Sequence, residues 1–118
     1  MIPEDEPDGI AFNPPKCKTE KAKIEWVTPE FILGMGDILA DSASDKGARG
    51  WEENPQNWLS HYGSLQRHLN AWRMGIEYDQ ESGQNHLLHA ACRLMMLYTL
   101  QKRGQGLDDR RVIFNKEK

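Results

Sequence analysis

Apolar residues recur at helical spacing in three stretches of the chain. The first begins at Thr28, a good N-cap residue that is followed by proline. From Phe31 onward, apolar residues fall at i, i+1, i+4, i+7 and i+8, which predicts a helix that fades near Ala43. Gly34 and Gly36 weaken this helix by about 1 kcal/mol each relative to alanine. We expect both glycines to allow close approach of another helix.

The second stretch carries an apolar seam in steps of three and four residues. It predicts a helix from about Pro55 or Asn57 to Met74, with Gly75 placed to end it. The seam consists of Trp58, Tyr62, Leu65, Leu69 and Trp72. We expect the two tryptophans of this seam to be core residues. His61 lies off the seam, and we predict that it is at the surface.

The third stretch follows Ser82, which we interpret as the N-cap of another helix. Lys102 and Arg103 suit the negative end of its dipole, and Gly104 is placed to end it. Its predicted core face consists of Leu87, Leu88, Ala91, Leu94, Met95 and Tyr98. Cys92 is predicted to be a small buried residue.

The remaining segments lack helical periodicity. Residues 1–23 hold four of the six prolines, which predicts an extended or flexible arm. Residues 44–57 are predicted to form a loop, and residues 111–118 a C-terminal tail. Because no strand pattern occurs, the sequence predicts an all-α fold. We expect a small antiparallel bundle of about three main helices in residues 24–110, preceded by the arm.

Charge and length exclude several classes of protein. The net charge of -3 gives no basic excess to neutralise phosphates, which argues against broad nucleic-acid binding. No apolar run approaches the roughly 20 residues of a membrane span. The acidic N-terminus is unlike a signal peptide, and the chain has two cysteines, so a cytoplasmic location is predicted. Three helices of this size make a thin core, so we expect a homo-oligomer.

Histidines and carboxylates cluster in residues 67–89. His86 and His89 are three residues apart, so they share one helical face. A short connection makes the second and third helices antiparallel neighbours, which brings His68 toward them. With Asp79 from the connection, these residues could hold a divalent metal ion (Mn, Co, Zn or Mg). The alternative is that the histidines are core or surface residues and the acidic turn is solvated.

Other residues near this cluster suit phosphate chemistry. Glu77 or Glu81 could accept the proton of an attacking water. Basic and aromatic residues that could bind a nucleotide's phosphates and base are Lys46, Arg49, Trp51 and Arg67. For each basic residue alone, a solvated surface charge is the competing interpretation. No glycine-rich phosphate loop or nucleophile elbow is present in the sequence.

Three segments resemble a phage-associated domain, the N-terminal domain of dATP/dGTP diphosphohydrolases. They read GARGWEEN, RHLNAWRMGIEYDQESGQNHLLHA and RGQGLDD. The resemblance spans about residues 36–110. The chain departs from the family pattern at Asp45, Lys46 and Gly47, where Tyr-Gly is usual. It departs again at Gly50, which stands in place of asparagine.

The resemblance implies an α-helical domain related to MazG-like nucleotide pyrophosphohydrolases. His86 and His89 would stand where those enzymes have Glu and Asp metal ligands, which favours a transition metal over Mg²⁺. The implied activity is hydrolysis of a (deoxy)purine nucleoside triphosphate to monophosphate and pyrophosphate. One alternative is a non-catalytic protein that sequesters a nucleotide signal in phage counter-defence. Another is an interaction domain that assembles through the seam and the arm.

Overall fold

The chain is described by a computed structural model covering residues 21–47 and 49–111, with no side-chain description for residues 44–46. A short 3-10 turn, Ile24–Trp26, precedes four α-helices in these residues. The helices are α1 (Pro29–Lys46), α2 (Gly50–Glu53), α3 (Trp58–Arg73) and α4 (His86–Arg103). The only β-type pairing in the described residues is one isolated bridge. The predicted all-α fold class is therefore confirmed.

The chain divides into two units. Val27–Arg110 forms one unit and contains all four helices. The other comprises Met1–Trp26 with Arg111–Lys118, of which only residues 21–26 and 111 are described. Most of the predicted arm and tail therefore lies outside the described residues. No described helix combines the length and apolar character that crossing a membrane requires.

Helix α1 begins where the sequence predicts, with Thr28 as its N-cap, but continues past Ala43 to Lys46. It packs against α4, and Gly34 is at the contact. A Cβ built on Gly34 would lie 2.5 Å from Leu88 Cδ1, so glycine there permits the approach. The same expectation for Gly36 is wrong, because a Cβ on Gly36 meets nothing within 4 Å.

The loop predicted at residues 44–57 contains a short helix, α2, and its first three residues belong to α1. Helix α3 then begins at Trp58, and its first N–H groups bond to the segment after α4. Trp58 N donates to Leu107 O at 3.0 Å, and Leu59 N donates to Asp109 Oδ1 at 3.0 Å. Since the first N–H groups of a helix lack internal partners, the closing RGQGLDD segment caps α3.

Helix α4 begins at His86 with Asn85 as its N-cap, three residues later than the predicted N-cap at Ser82. Gly83 has a φ of +73°, which is incompatible with a right-handed helix. The cap is Asn85, whose Oδ1 accepts a hydrogen bond from Leu87 N at 2.8 Å. Gly104 ends the helix in the left-handed conformation, as predicted.

The core forms where α1 and α3 pack on α4. Its buried apolar residues are Ile38, Leu65, Ala90, Cys92, Met96 and Leu100. The predicted core face of α4 is therefore largely wrong, since Leu94 and Tyr98 are 54% and 60% exposed. On α3, Tyr62 and Trp72 are also exposed. The reason is that the faces buried between α3 and α4 include histidines, and a pattern of apolar residues does not reveal them.

Candidate active site

The connection between α3 and α4 folds back on itself and places Asp79 beside the start of α4. Tyr78 pairs with Asn85 in the isolated bridge. Asp79 N donates to Gln84 O, and His86 N donates to Glu77 O, each at 2.8 Å. This closed connection replaces the helical turn that the sequence predicts, and it is what directs the Asp79 carboxylate toward the interface of the two helices.

Helices α3 and α4 are antiparallel, as predicted, and two polar layers lie between them. In the histidine layer, His68 Nδ1 lies 2.8 Å from His86 Nδ1. In the arginine layer, His61 Nδ1 lies 3.2 Å from Arg93 Nη1. The two layers are seven residues apart on each helix, which is about two helical turns. The α3–α4 contact therefore repeats, with different chemistry in each layer.

The histidine layer contains a group of residues that could hold a metal ion. His68, Asp79 and His86 each offer a ligand atom, and these atoms lie within 4.8 Å of one another. His86 is buried, while His68 and Asp79 are half-buried. The structure thus brings together three of the four residues that the sequence proposes as metal ligands. We call this set the triad.

His89, the fourth predicted ligand, lies against the triad. Its ring stacks on His68, with centroids 4.6 Å apart and planes 10° from parallel. Its Nε2 is 2.7 Å from Ser82 Oγ. Ser82 N in turn donates to Asp79 Oδ2 at 3.0 Å. Ser82 therefore connects His89 with Asp79, in the way that residues around a metal site commonly fix the ligands.

The electrostatics of the site favour the neutral form of two imidazoles, those of His68 and His89, and the neutral form is the one that binds metals. Burial, together with the nearby His89 and His86, lowers the pKa of His68 to about 4. Burial also lowers the pKa of His89, although Asp79 opposes this shift. Burial alone would raise the pKa of Asp79, but hydrogen bonds from Ser82, with His89 and the Glu81 N–H, lower it overall. Asp79 is therefore an anion beside neutral rings.

The donor set fits a divalent transition metal. Two imidazole nitrogens about 2.1 Å from one ion lie about 3.0–3.4 Å apart in octahedral or tetrahedral geometry. The two Nδ1 atoms are 2.8 Å apart and share a hydrogen bond, so a metal ion bound to both would replace the proton between them. Two imidazoles and one carboxylate suit zinc, manganese or cobalt better than magnesium, which prefers oxygen ligands.

The two predicted proton acceptors occupy different positions. Glu81 lines a cavity of about 430 Å³ together with Asp79, His89 and Arg93. Glu77 has an exposed side chain, and its backbone oxygen holds the start of α4. The cavity therefore gives Glu81 the more direct access to a ligand at the triad.

The predicted substrate-binding residues do not share one cavity. Arg49 forms an ion pair with Glu52 at 2.9 Å, and Glu52 also pairs with Arg103. Trp51 lines a separate cavity of about 340 Å³. Arg67 lines a third cavity of about 360 Å³. The Lys46 side chain lies outside the described residues.

His61 and Arg93 are residues that the sequence analysis missed. His61 is 1% exposed, so its predicted surface position is wrong. It is buried because it faces Arg93 across the helix interface. The sequence signal for this second layer is a repeated spacing. His61 and His68 are seven residues apart, and so are His86 and Arg93. An antiparallel helix pair places both spacings in register.

Comparison with known proteins agrees with the sequence resemblance. The family model described as "dATP/dGTP diphosphohydrolase, N-terminal" matches residues 15–110. A protein named dATP/dGTP diphosphohydrolase from Salmonella phage PMBT28 is 28% identical over 91 residues. That match covers 77% of this chain but only 31% of the phage protein. No solved structure matches the chain. The chain belongs to the dATP/dGTP diphosphohydrolase N-terminal family.

Proposed function

We propose that the protein is a metal-dependent nucleotide hydrolase of phage type. It would convert a (deoxy)purine nucleoside triphosphate to the monophosphate and pyrophosphate. The observation that carries this proposal is the convergence of His68, Asp79 and His86 within 4.8 Å. Family membership and the name of the phage relative support the substrate class.

In this proposal the triad holds the ion, and Ser82 and His89 keep the ligands in place. When bound, a divalent metal supplies Lewis acidity, which polarises phosphoryl oxygens and makes water more acidic. Glu81 is our first candidate for the group that accepts a proton from the attacking water, because it lines the cavity beside Asp79. Glu77 remains the second candidate.

The remaining predicted contacts concern the nucleotide itself. Trp51 would contact the base, because its cavity is also lined by the apolar side chains of Leu39 and Met96. Arg67 would contact phosphate. Lys46 and Arg49 remain predicted phosphate contacts, although the Glu52 ion pair already engages Arg49.

The proposal is tested by the release of pyrophosphate. Purified protein loaded with Mn²⁺ or Co²⁺ should release pyrophosphate from dATP or dGTP, and Asp79→Asn should remove this activity. Asp37→Asn, at an exposed position on α1, is the matched control and should retain it. The proposal is wrong if no deoxynucleoside or ribonucleoside triphosphate yields pyrophosphate with either metal.

A second candidate is binding of a nucleotide without hydrolysis, including sequestration of a signalling nucleotide. The cavities lined by Trp51 and Arg67 support it, because base and phosphate contacts of this kind require no metal ion. In this case, titration calorimetry would show nucleotide binding, and chromatography of the bound ligand would recover it intact.

A further inference from the structure

Arg93 lies half-buried in the middle of α4 without a carboxylate partner in the part of the chain that the structure describes. Burial lowers its pKa, and the positive charge of Arg67 lowers it further. A partly buried cation without a counter-charge is costly for a fold. A ligand anion would offset this cost.

The guanidinium of Arg93 is held in one orientation by neutral groups. Its Nη1 donates to Gln56 Oε1 at 3.0 Å and to His61 Nδ1 at 3.2 Å. Because a guanidinium nitrogen can only donate, His61 Nδ1 must accept. These two bonds do not engage Nε or Nη2. His61 and Gln56 therefore fix the direction of Arg93 without neutralising its charge.

Arg67 lies close enough to add a second positive charge. Its guanidinium folds back over α3, and a Cβ built on Gly63 would lie 3.2 Å from Arg67 Nη1. Arg67 and Arg93 line the same cavity of about 360 Å³, together with the hydroxyl-bearing Ser60 and Ser64. Among the residues that the structure describes, no carboxylate lines that cavity. It combines two guanidinium groups with neutral hydrogen-bonding side chains.

Other arginines in the same unit show the contrast. Arg49 and Arg103 both pair with Glu52, and Arg110 pairs with Asp108 at 2.8 Å. Each of these arginines has a carboxylate partner, and two of them share Glu52. In the described residues no carboxylate forms an ion pair with Arg67 or Arg93. Arginine is well suited to bind phosphate oxygens through paired hydrogen bonds.

We propose that Arg67 and Arg93 form a binding site for a phosphoric-anhydride anion and that His61 and Gln56 position Arg93 within it. Arg93 also lines the cavity that contains Asp79 and His89, so the anion site adjoins the triad. In the nucleotide this anion is the polyphosphate chain, an identification that rests on the proposed function. The anion site itself requires no metal, which permits a separate test.

The test is calorimetric titration of the metal-free protein with inorganic pyrophosphate. Arg67→Gln and Arg93→Met should each weaken binding by about tenfold or more, since each removes charge-assisted hydrogen bonds. Arg73→Gln, at an exposed position on the same helix as Arg67, should leave binding unchanged. Arg67 is exposed, so its replacement reports on binding even if the Arg93 variant fails to fold.

The role of His61 as a positioning residue has its own readout. His61→Phe keeps a ring but removes the acceptor, so pyrophosphate binding should weaken. His61→Asn restores an acceptor near the place of Nδ1 and should recover most of that binding. Equal binding by both variants would show that His61 only fills space, and would overturn its positioning role.

The two proposals fail in distinguishable ways. If metal-free protein does not bind pyrophosphate, or binds it equally after Arg67→Gln, the anion site is wrong even if nucleotide hydrolysis is observed. If pyrophosphate binds through both arginines, the anion site stands. A failure of the metal-loaded protein to release pyrophosphate then counts against the proposed hydrolysis alone.

Discussion

The two layers between α3 and α4 begin from the same geometry and reach different chemistry. Each has one histidine from α3 facing a basic side chain from α4, and the layers are seven residues apart. In the histidine layer, the α4 residue is His86, and Asp79 from the connection completes the set. In the arginine layer, the α4 residue is Arg93, and neutral Gln56 completes the set. We propose that the Asp79 carboxylate makes the first layer a cation site, whereas the Arg93 guanidinium makes the second an anion site.

This difference follows from the position of each layer along the helix pair. The histidine layer lies at the end that the α3–α4 connection closes, so an acidic loop residue reaches it. The arginine layer lies nearer the start of α3, where Gln56 precedes the helix, and in the described residues no carboxylate forms an ion pair with Arg93. A nucleotide substrate combines a metal ion with a polyphosphate anion. A proposed cation site beside a proposed anion site suits such a substrate.

The largest effect is expected from removing the carboxylate that distinguishes the histidine layer. Changes to residues around metal ligands lower metal affinity by roughly 10- to 100-fold, and Asp79→Asn should lower it by at least as much. Pyrophosphate binding by the metal-free variant should stay at the wild-type level. Elemental analysis after dialysis and calorimetry measure the two properties. Loss of both together would show that the layers are not separate sites.

A smaller effect is expected at Ser82, which contacts His89 and Asp79 without belonging to the triad. Ser82→Ala should weaken metal binding by about tenfold, toward the lower end of what is lost when a residue that orients a metal ligand is changed. Ser60→Ala provides the matched control in the arginine layer's cavity and should leave metal affinity unchanged. Equal metal affinities for wild type and Ser82→Ala would contradict the connecting role of Ser82.

The smallest effect concerns the pH dependence of stability at His61. Burial, with Arg93 nearby, lowers the pKa of His61 from its ordinary value of 6.5. Below pH 6.5 the unfolded chain therefore binds a proton that the folded chain excludes, and the free energy of unfolding falls as pH decreases toward the folded pKa. The contribution is at most about 1.4 kcal/mol per pH unit. Above pH 6.5, His61 is neutral in both states, so stability no longer changes with pH through this residue.

His61→Asn should make this decline shallower than in the wild type. Denaturant unfolding of metal-free protein at pH 7.5, 6.5 and 5.5 measures it, and the other histidines affect both proteins alike. Parallel stability curves for the two proteins would indicate that His61 has the same pKa in the folded and unfolded states.

The sequence predicts the positions of the helices better than their buried faces. Thr28 and Gly104 mark helix ends because capping and positive φ are local properties. The start of α4 was misplaced because Ser82 is a good cap by residue type, yet Gly83 and the bridge at Tyr78 prevent a helix there. Helix propensity does not include the hydrogen bonds that close the connection.

The candidate site was predicted in part. His68, Asp79 and His86 follow from spacing and a short antiparallel connection, and the structure brings them together. His61 and Arg93 were not identified, because a lone histidine off an apolar seam resembles a surface residue. Their burial accompanies a hydrogen bond between the two side chains across the interface, although His61 Nε2 has no partner in the described residues. No single helix reveals this pairing.

The sequence by itself determines that the chain is helical, where its main helices lie, and that residues 67–89 concentrate metal-binding side chains. These properties depend on local propensity and spacing, which are written in consecutive residues. Only the tertiary structure decides which helix faces are buried, that Asp79 joins the histidine layer, and that Arg93 forms no ion pair within the described residues. Those properties depend on packing between distant segments, where each polar group takes its partner from another element.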